Sequence, residues 1–372
     1  MIDIDPLAKL GWDATWDAAF APHAADSRRP ARVVAAYRDA WTVAVADGHD
    51  VQAVISGRFR FDAAAPGDLP AVGDWVAVDV PAAGTGPAVI HAVLARRSFF
   101  RRSAGDASRR RSGAIANEQV LAANVDVALL LSGLDADFDV RRLERYVSVA
   151  YAGGVSPVVV LNKADVDPDL DGHIIAAQAV APGVPVHAIS ARTGLGVDDL
   201  VARHVVPGST VVFLGSSGVG KSTLVNRLLG EERQKTNAVR EDDSRGRHTT
   251  TTRELLRLPG GALVVDTPGI RALEVTWADE GLDETFVDIG SIAASCRFSD
   301  CRHESEPGCA VLAAVADGRI DASRLASHRR LEREAAHANR QVDRLAAAAN
   351  RQRWKAVHKS VHQHMKQKYG DL

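Results

Sequence analysis

The sequence predicts a multidomain chain: an N-terminal β-barrel, a central α/β domain and a mostly helical C-terminal domain. Three patterns predict it. Short β-rich runs punctuated by Pro, Gly and Ala fill the stretch from Arg29 to Arg97. Wholly apolar runs alternate with amphipathic ones from Asn124 to Trp277, as buried parallel strands and their crossover helices do. Helical sequence rich in Ala, Arg and His follows a Cys cluster from Ile289 onward. At 372 residues the chain is long enough for two or three domains. The expected division is an extension over 1–28, a barrel over 29–115, the α/β domain over 116–280 and the C-terminal domain over 281–372.

Composition excludes several classes. The charged fraction, 25%, and hydrophobic fraction, 46%, are those of a globular protein. A net charge of −2 leaves nucleic-acid affinity to local patches. No run approaches the roughly 20 apolar residues of a membrane span, and Asp3 and Asp5 do not suit a secretory signal. The 3 Cys form an odd, clustered set, a poor disulfide framework that fits a reducing cytoplasm.

In the barrel region, Arg32 to Tyr37 and Trp41 to Val45 read as strands, followed by the turn signal Asp47-Gly48. Val51 to Phe61 reads as one β-rich run and Gly73 to Val78 as another. The spacing suits a five-stranded barrel of the oligonucleotide-binding type, the OB-fold. In the centre, Val127 to Leu131, Pro157 to Leu161, Thr210 to Leu214 and Ala262 to Val265 read as buried strands. Arg141 to Ala152 and Lys221 to Leu229 read as helices of a doubly wound fold.

Gly215, Ser216, Ser217, Gly218, Val219, Gly220, Lys221 and Ser222 spell G-x-x-x-x-G-K-S between a strand and a helix, the setting a phosphate loop requires. Glycines let backbone N–H groups turn inward onto phosphates, and the helix N-terminus adds its positive end. Lys221 is expected on the β- and γ-phosphates and Ser222 on Mg²⁺, with Thr223 lining the same turn. Asp266-Thr267-Pro268-Gly269 follows another strand, so Asp266 is placed for Mg²⁺ and Gly269 for the γ-phosphate.

Asn162-Lys163-Ala164-Asp165 ends a strand. Asp165 can accept from the guanine N1–H and N2–H₂ edge, a donor pair adenine lacks. Asn162 is expected to brace neighbouring loops and the Lys163 stem to cover the base. Ser190 and Ala191 suit the loop that reaches the guanine O6. These guanine-reading residues precede the phosphate loop, whereas guanine-nucleotide switches place them after it. The reversed order identifies a circularly permuted GTPase.

The segment Arg245-Gly246-Arg247-His248-Thr249-Thr250-Thr251-Thr252 lies where a first switch belongs. One Thr there, taken as Thr250, can join the Mg²⁺ shell. Ile270 follows Gly269, where many GTPases carry the Gln that orients water. His248 is the nearest alternative for that role. Lys221, His248 and Gly269 are therefore the expected catalytic groups.

Cys296, Cys301, His303 and Cys309 offer four N/S ligands over a short span, a pattern for one closed, structural Zn²⁺ site. Arg96, Arg97, Arg101 and Arg102 border the barrel, interleaved with Phe99 and Phe100. Arg351, Arg353, Lys355 and Lys359 lie in a basic tail. Both patches suggest sequence-independent, salt-sensitive RNA contact.

Taken together, the chain resembles the ribosome small-subunit-dependent GTPase A family, RsgA (YjeQ), over nearly its whole length. The resemblance rests on Leu10-Gly11-Trp12, Val72-Gly73-Asp74, Arg97-Ser98-Phe99-Phe100-Arg101-Arg102, Ala122-Ala123-Asn124-Val125-Asp126, Gly246-Arg247-His248-Thr249-Thr250-Thr251 and the nucleotide and Cys/His motifs. It implies a cytoplasmic bacterial GTPase acting late in 30S maturation, binding 16S rRNA and stimulated by the small subunit. A single asymmetric ribosomal site suits a monomer. An Arg-rich insert, Ser108 to Ser112, and the long basic tail depart from the family pattern. The permuted order leads from Asp266 into the Cys cluster, so loss of the γ-phosphate is expected to move the C-terminal domain.

Overall fold

The computed structural model describes residues 6–24, 27–37, 39–46, 48–63, 65–81, 86–103, 118–135, 137–231, 253–266, 279–336 and 340. A short helix, α1 (Ala14–Phe20), opens the chain, its N-terminus capped by Asp13, whose carboxylate accepts from the Thr15 and Trp16 N–H groups. The strands β1 (Arg28–Ala36), β2 (Trp41–Val45) and β3 (Asp50–Ile55) follow, then α2 (Gly57–Asp62), β4 (Trp75–Asp79) and β5 (Ala88–Val93). Val51 to Phe61 is therefore not the single β run its composition suggests: β3 ends at Ile55 and a helix begins at Gly57. Ser56 caps a helix by accepting from the Phe59 N–H at 3.1 Å, which ends the strand.

These five strands close into a barrel in the order β1-β2-β3-β5-β4, with β4 returning to pair with β1. Its interior holds Val33, Trp41, Val43, Ile55, Val76 and Ile90. Gly73, before β4, takes φ 91°, and a Cβ there would fall 2.0 Å from the Ala123 carbonyl oxygen. Only glycine permits that approach. Trp12 and Trp16 pack on Trp75, so the N-terminal segment covers the barrel wall.

A hairpin of β6 (Phe99–Ser103) and β7 (Glu118–Ala123) leads to β8 (Val127–Gly133), α3 (Val140–Ala152), β9 (Ser156–Asn162), α4 (Leu170–Val180), β10 (Val186–Ile189), α5 (Val197–His204), β11 (Thr210–Leu214), α6 (Lys221–Leu229), β12 (Arg253–Arg257) and β13 (Leu263–Asp266). The sheet order is β10-β9-β8-β11-β13-β12, parallel except for β12. Alternate residues of β8 face opposite covers, with Ala128 and Leu130 towards α3 and α4, and Leu129 and Leu131 towards α5 and α6. β12 also pairs with β1, through Ala35 opposite Glu254 and Ala36 opposite Arg253, so barrel and α/β sheet are continuous.

The C-terminal helices are α7 (Asp279–Thr285), α8 (Val287–Ala293), α9 (Ala310–Ala316) and α10, described over 322–336. They enclose Phe286, Ile289, Val311, Ile320, Leu325 and Leu331. α7 lies against α3 so closely that a Cβ on Gly281 would meet the Ser148 carbonyl oxygen at 2.1 Å. Among the described residues, no helix is long and apolar enough to cross a membrane.

Candidate nucleotide site and metal centre

β11 feeds the loop that runs from Gly215 to α6, and its parallel neighbours place the other motifs beside it. In sheet order, the ends of β9, β8, β11 and β13 lie side by side. Asn162 closes β9 and is only 3% exposed. Its Nδ2 donates to the Val219 carbonyl at 2.8 Å. Its Oδ1 accepts from the Ala191 N–H at 2.8 Å. One amide thus ties together three loops that are remote in sequence. Gly220 takes φ 102°, and a Cβ there would strike Asn162 Nδ2 at 2.2 Å. The Ala191 N–H is committed to Asn162, so the observed part of Ser190-Ala191 is to hold the loop. The buried Ser190 hydroxyl accepts from the Thr193 N–H at 3.1 Å.

The Lys221 ammonium donates to the Gly215 carbonyl at 2.7 Å and to that of Ser216, spanning the loop. Ser217 and Gly218 form the exposed rim and Val219 is buried. Ser222 and Thr223 occupy the first turn of α6. Asp266 ends β13, whose Val265 lies opposite Val212 of β11. A glycine-turned loop, a helix N-terminus and a lysine together form an anion cradle.

Asp165 pairs with Arg192. That bond, and a second from Ser190, hold its carboxyl below the usual range, so it is an ionised acceptor at neutral pH. Lys163 has a left-handed backbone, φ 72°, and its ammonium pairs with Asp135. The bond from Lys163 depresses the Asp135 carboxyl as well. His248, Thr250 and Gly269 lie outside the described residues.

Three groups in this cluster carry no motif signal. Arg227 of α6 reaches back, with Nε donating to the Ala191 carbonyl at 2.8 Å and Nη2 to that of Arg192 at 2.7 Å. Asp137 accepts from the Ser216 hydroxyl and from Arg142 Nη1 at 2.6 Å. Asp135 completes the set. A lone Arg on a helix, or an Asp in a loop, reads in sequence as solvated surface; only the sheet order brings these groups to the site.

In the C-terminal domain the ligand atoms of Cys296, Cys301, His303 and Cys309 all lie within 4.8 Å of one another. Cys296 Sγ is 3.9 Å from Cys309 Sγ, and His303 Nδ1 is 3.6 Å and 3.4 Å from those sulfurs. A tetrahedral ion about 2.3 Å from sulfur and about 2.0 Å from nitrogen sets S···S near about 3.8 Å and S···N near about 3.5 Å. The donor set therefore fits one such ion. Cys309 also caps α9, its sulfur accepting from the Leu312 N–H at 3.4 Å.

The first basic patch is divided in its roles. Arg96, expected on RNA, is turned inward: Nε and Nη2 donate to the buried Asp74 at 2.8 Å and 2.7 Å, and Nη1 to the Gly67 carbonyl at 2.7 Å. Burial raises the Asp74 carboxyl against the pull of that guanidinium. Arg97 pairs with Asp13 at 2.6 Å and lies 4.1 Å from the Trp16 ring. Arg101 lies 5.2 Å from the Phe99 ring. The Arg102 side chain, and Arg351, Arg353, Lys355 and Lys359, lie outside the described residues.

Comparison with known proteins follows the same outline. Residues 93–276 match a family described as RsgA GTPase. Residues 210–368 match one described as 50S ribosome-binding GTPase, a match that begins at the strand feeding the phosphate loop and leaves Asn162 to Asp165 outside it. A small ribosomal subunit biogenesis GTPase RsgA from Opitutus terrae is 48% identical over 95% of this chain and 96% of its own length. The protein of the same description from Streptomyces coelicolor is 45% identical over 88% and 86%. The crystal structure of YjeQ from Thermotoga maritima aligns with TM-score 0.61 at 26% identity, covering 83% of this chain and 99% of that one. The crystal structure of YloQ, a circularly permuted GTPase, shares the fold at TM-score 0.59 and 23% identity, covering 85% of this chain and 97% of that one.

Proposed function

The chain belongs to the RsgA GTPase family, and from that premise we propose that it hydrolyses GTP to GDP during late maturation of the 30S ribosomal subunit. The proposal places it in the cytoplasm, as a monomer in contact with 16S rRNA. One observation carries the nucleotide reading: the Asn162 amide joins the guanine-reading, phosphate and Ser190-Ala191 loops, so the permuted chain assembles one site.

In this reading the backbone N–H groups from Ser216 to Lys221 cradle the phosphates, and Lys221 turns its ammonium from the loop carbonyls to the β- and γ-oxygens. Asp165, kept ionised by Arg192, accepts from the guanine edge. Arg227 fixes the wall beside the base by holding two carbonyls of the 190–192 loop. Ser222, Asp266 and Thr250 are hard oxygen donors suited to Mg²⁺, which when bound neutralises charge on the β- and γ-phosphates. Gly269 is the γ-phosphate sensor. Ile270 offers no hydrogen bond to water, so His248 is assigned to orient it, its imidazole accepting a proton from the attacking water. Cys296, Cys301, His303 and Cys309 hold Zn²⁺ in a closed structural role. RNA contact is assigned to Arg97, Arg101 and Arg102 and to the tail residues Arg351, Arg353, Lys355 and Lys359.

The test is GTP hydrolysis by the protein alone, with 30S subunits and with 50S subunits. Turnover is expected to be slow alone and strongly stimulated by 30S subunits only. Turnover indifferent to 30S subunits would overturn the assignment of the activating partner.

A further inference from the structure

The sheet order gives β8 a place of its own. It runs between β9, which ends in the guanine-reading loop, and β11, which ends in the phosphate loop. The short loop leaving β8 therefore emerges between the two loops that must grip opposite ends of one nucleotide. Two of its carboxylates each engage one of those loops. Asp135 holds the Lys163 ammonium on one side. Asp137 accepts from the Ser216 hydroxyl on the other. Ser216 is thus fixed at both ends, its carbonyl accepting from Lys221 and its hydroxyl donating to Asp137.

A carboxylate beside a phosphate cradle opposes anion binding unless its charge is matched. Arg142, in the first turn of α3, supplies the match, with Nη1 2.6 Å from Asp137 Oδ1 and Nη2 3.8 Å from Asp139. The pair is about one-third exposed on each side, 31% and 29%. It lies close enough to the loop for its charge to be felt there, without the penalty of full burial.

We propose that Asp137 and Arg142 form a charge-matched positioning pair for the phosphate loop, with Asp135 its counterpart on the guanine-reading loop. Asp137 orients Ser216 so that the loop N–H groups face the phosphates, and Arg142 cancels the negative charge this places beside them. The inference rests on the nucleotide-site reading above. Neither residue touches the nucleotide: Asp137 acts through Ser216, and Arg142 acts by matching the charge of Asp137.

Charge matching leaves a signature that simple bracing does not. Full-length wild type, Arg142→Ala, Asp137→Asn and the double variant are titrated with fluorescent GDP and with a non-hydrolysable GTP analogue. Arg142→Ala exposes an unmatched carboxylate and is expected to weaken the triphosphate about tenfold, and the diphosphate by a smaller factor, because it carries less charge. Adding Asp137→Asn removes the unmatched charge while keeping an acceptor for Ser216, and should restore triphosphate affinity to within about threefold of wild type. A double variant no better than Arg142→Ala, or equal losses for both nucleotides, overturns the proposal. Should Arg142→Ala fail to fold by melting temperature, Asp137→Asn alone decides. It is expected to bind the triphosphate as tightly as wild type or more tightly, while Asp137→Ala, which frees Ser216, binds it more weakly. If Asp137→Asn binds as poorly as Asp137→Ala, the charge assignment is wrong. A wild type that binds neither nucleotide sinks the underlying site reading instead, so the two failures are distinguishable.

Discussion

Asn162 carries more of the site than its motif suggests. Guanine-reading motifs are noticed for the Asp that meets the base, yet here the first residue does the assembling. Removing its amide leaves the Val219 carbonyl and the Ala191 N–H without their partners in a buried setting. Each orphaned group costs about 1–3 kcal/mol. Asn162→Ala is therefore expected to weaken GDP and GTP alike, by about tenfold to a hundredfold, in an equilibrium titration. Unchanged affinity would mean the loops hold their places without it. Asp13 makes a second prediction at this scale. Burial works against its charge, but bonds from Thr15, Arg97 and the Trp16 N–H outweigh it and hold the carboxyl at about 2, against an ordinary 3.8. A depressed carboxyl stabilises the fold above its unfolded value, and the contribution fades as pH falls from about 4 through about 2. Because Asp13 is 48% exposed, the effect is modest. Trp fluorescence should report loosening of α1 in that window, and Asp13→Asn should remove the transition. Motif residues were legible because their chemistry is local in sequence. Arg227, Asp135 and Asp137 were not, because their partners are set by which strands lie side by side.

At the scale of elements, periodicity served well where burial is one-sided or complete. α6 begins and ends where the sequence places it, and the four apolar central runs are all strands. The reading failed at α2, where Phe59 and Phe61 sustain a β-like composition but Ser56 supplies a cap. A single hydrogen bond outweighed propensity there, as it does when a run is short. The Cys/His loop between α8 and α9 makes the opposite case, since it has little secondary structure of its own. Its Cys and His residues double as core and cap: Cys309 sits among Val311, Ala314 and Leu331 and also caps α9. Metal removal should therefore loosen more than the loop. A strong chelator is expected to lower helical circular dichroism and release α9 and its neighbours, with recovery on adding Zn²⁺. An unchanged spectrum after verified metal loss would show that the helices hold without the ion.

Across the whole molecule, two seams tie the α/β domain to its neighbours. At the first, Arg32 of β1 is buried and donates to the Asn124 carbonyl at 3.1 Å, the Thr210 hydroxyl at 2.8 Å and the Leu10 carbonyl. Burial lowers its pKa to about 10, so it remains a cation at neutral pH and fixes the barrel to the strand that feeds the phosphate loop. At the second, the fully buried Glu144 of α3 meets Arg324 of α10 at 3.3 Å and the Ser327 hydroxyl. Arg324 also grips Asp288 at 2.6 Å and the Thr285 carbonyl at 2.9 Å. The sequence suggested a C-terminal domain moved through the chain after Asp266; that domain is also tied to α3, the helix whose first turn holds Arg142. The second seam makes a clear prediction. Arg324→Ala would leave the buried Glu144 only Arg141 Nη1, at 3.3 Å, and the Ser327 hydroxyl as side-chain partners, at a cost of about 1–3 kcal/mol. If the C-terminal helices hung from the connection after Asp266 alone, that cost would fall on them, and hydrogen exchange would quicken only in α7 to α10. Because Glu144 belongs to α3, exchange is expected to quicken in α3 and the facing strand β9 as well. Protection retained in α3 would refute the coupling. Protection lost in both places would mean that the nucleotide site and the Cys/His domain share one cooperative unit.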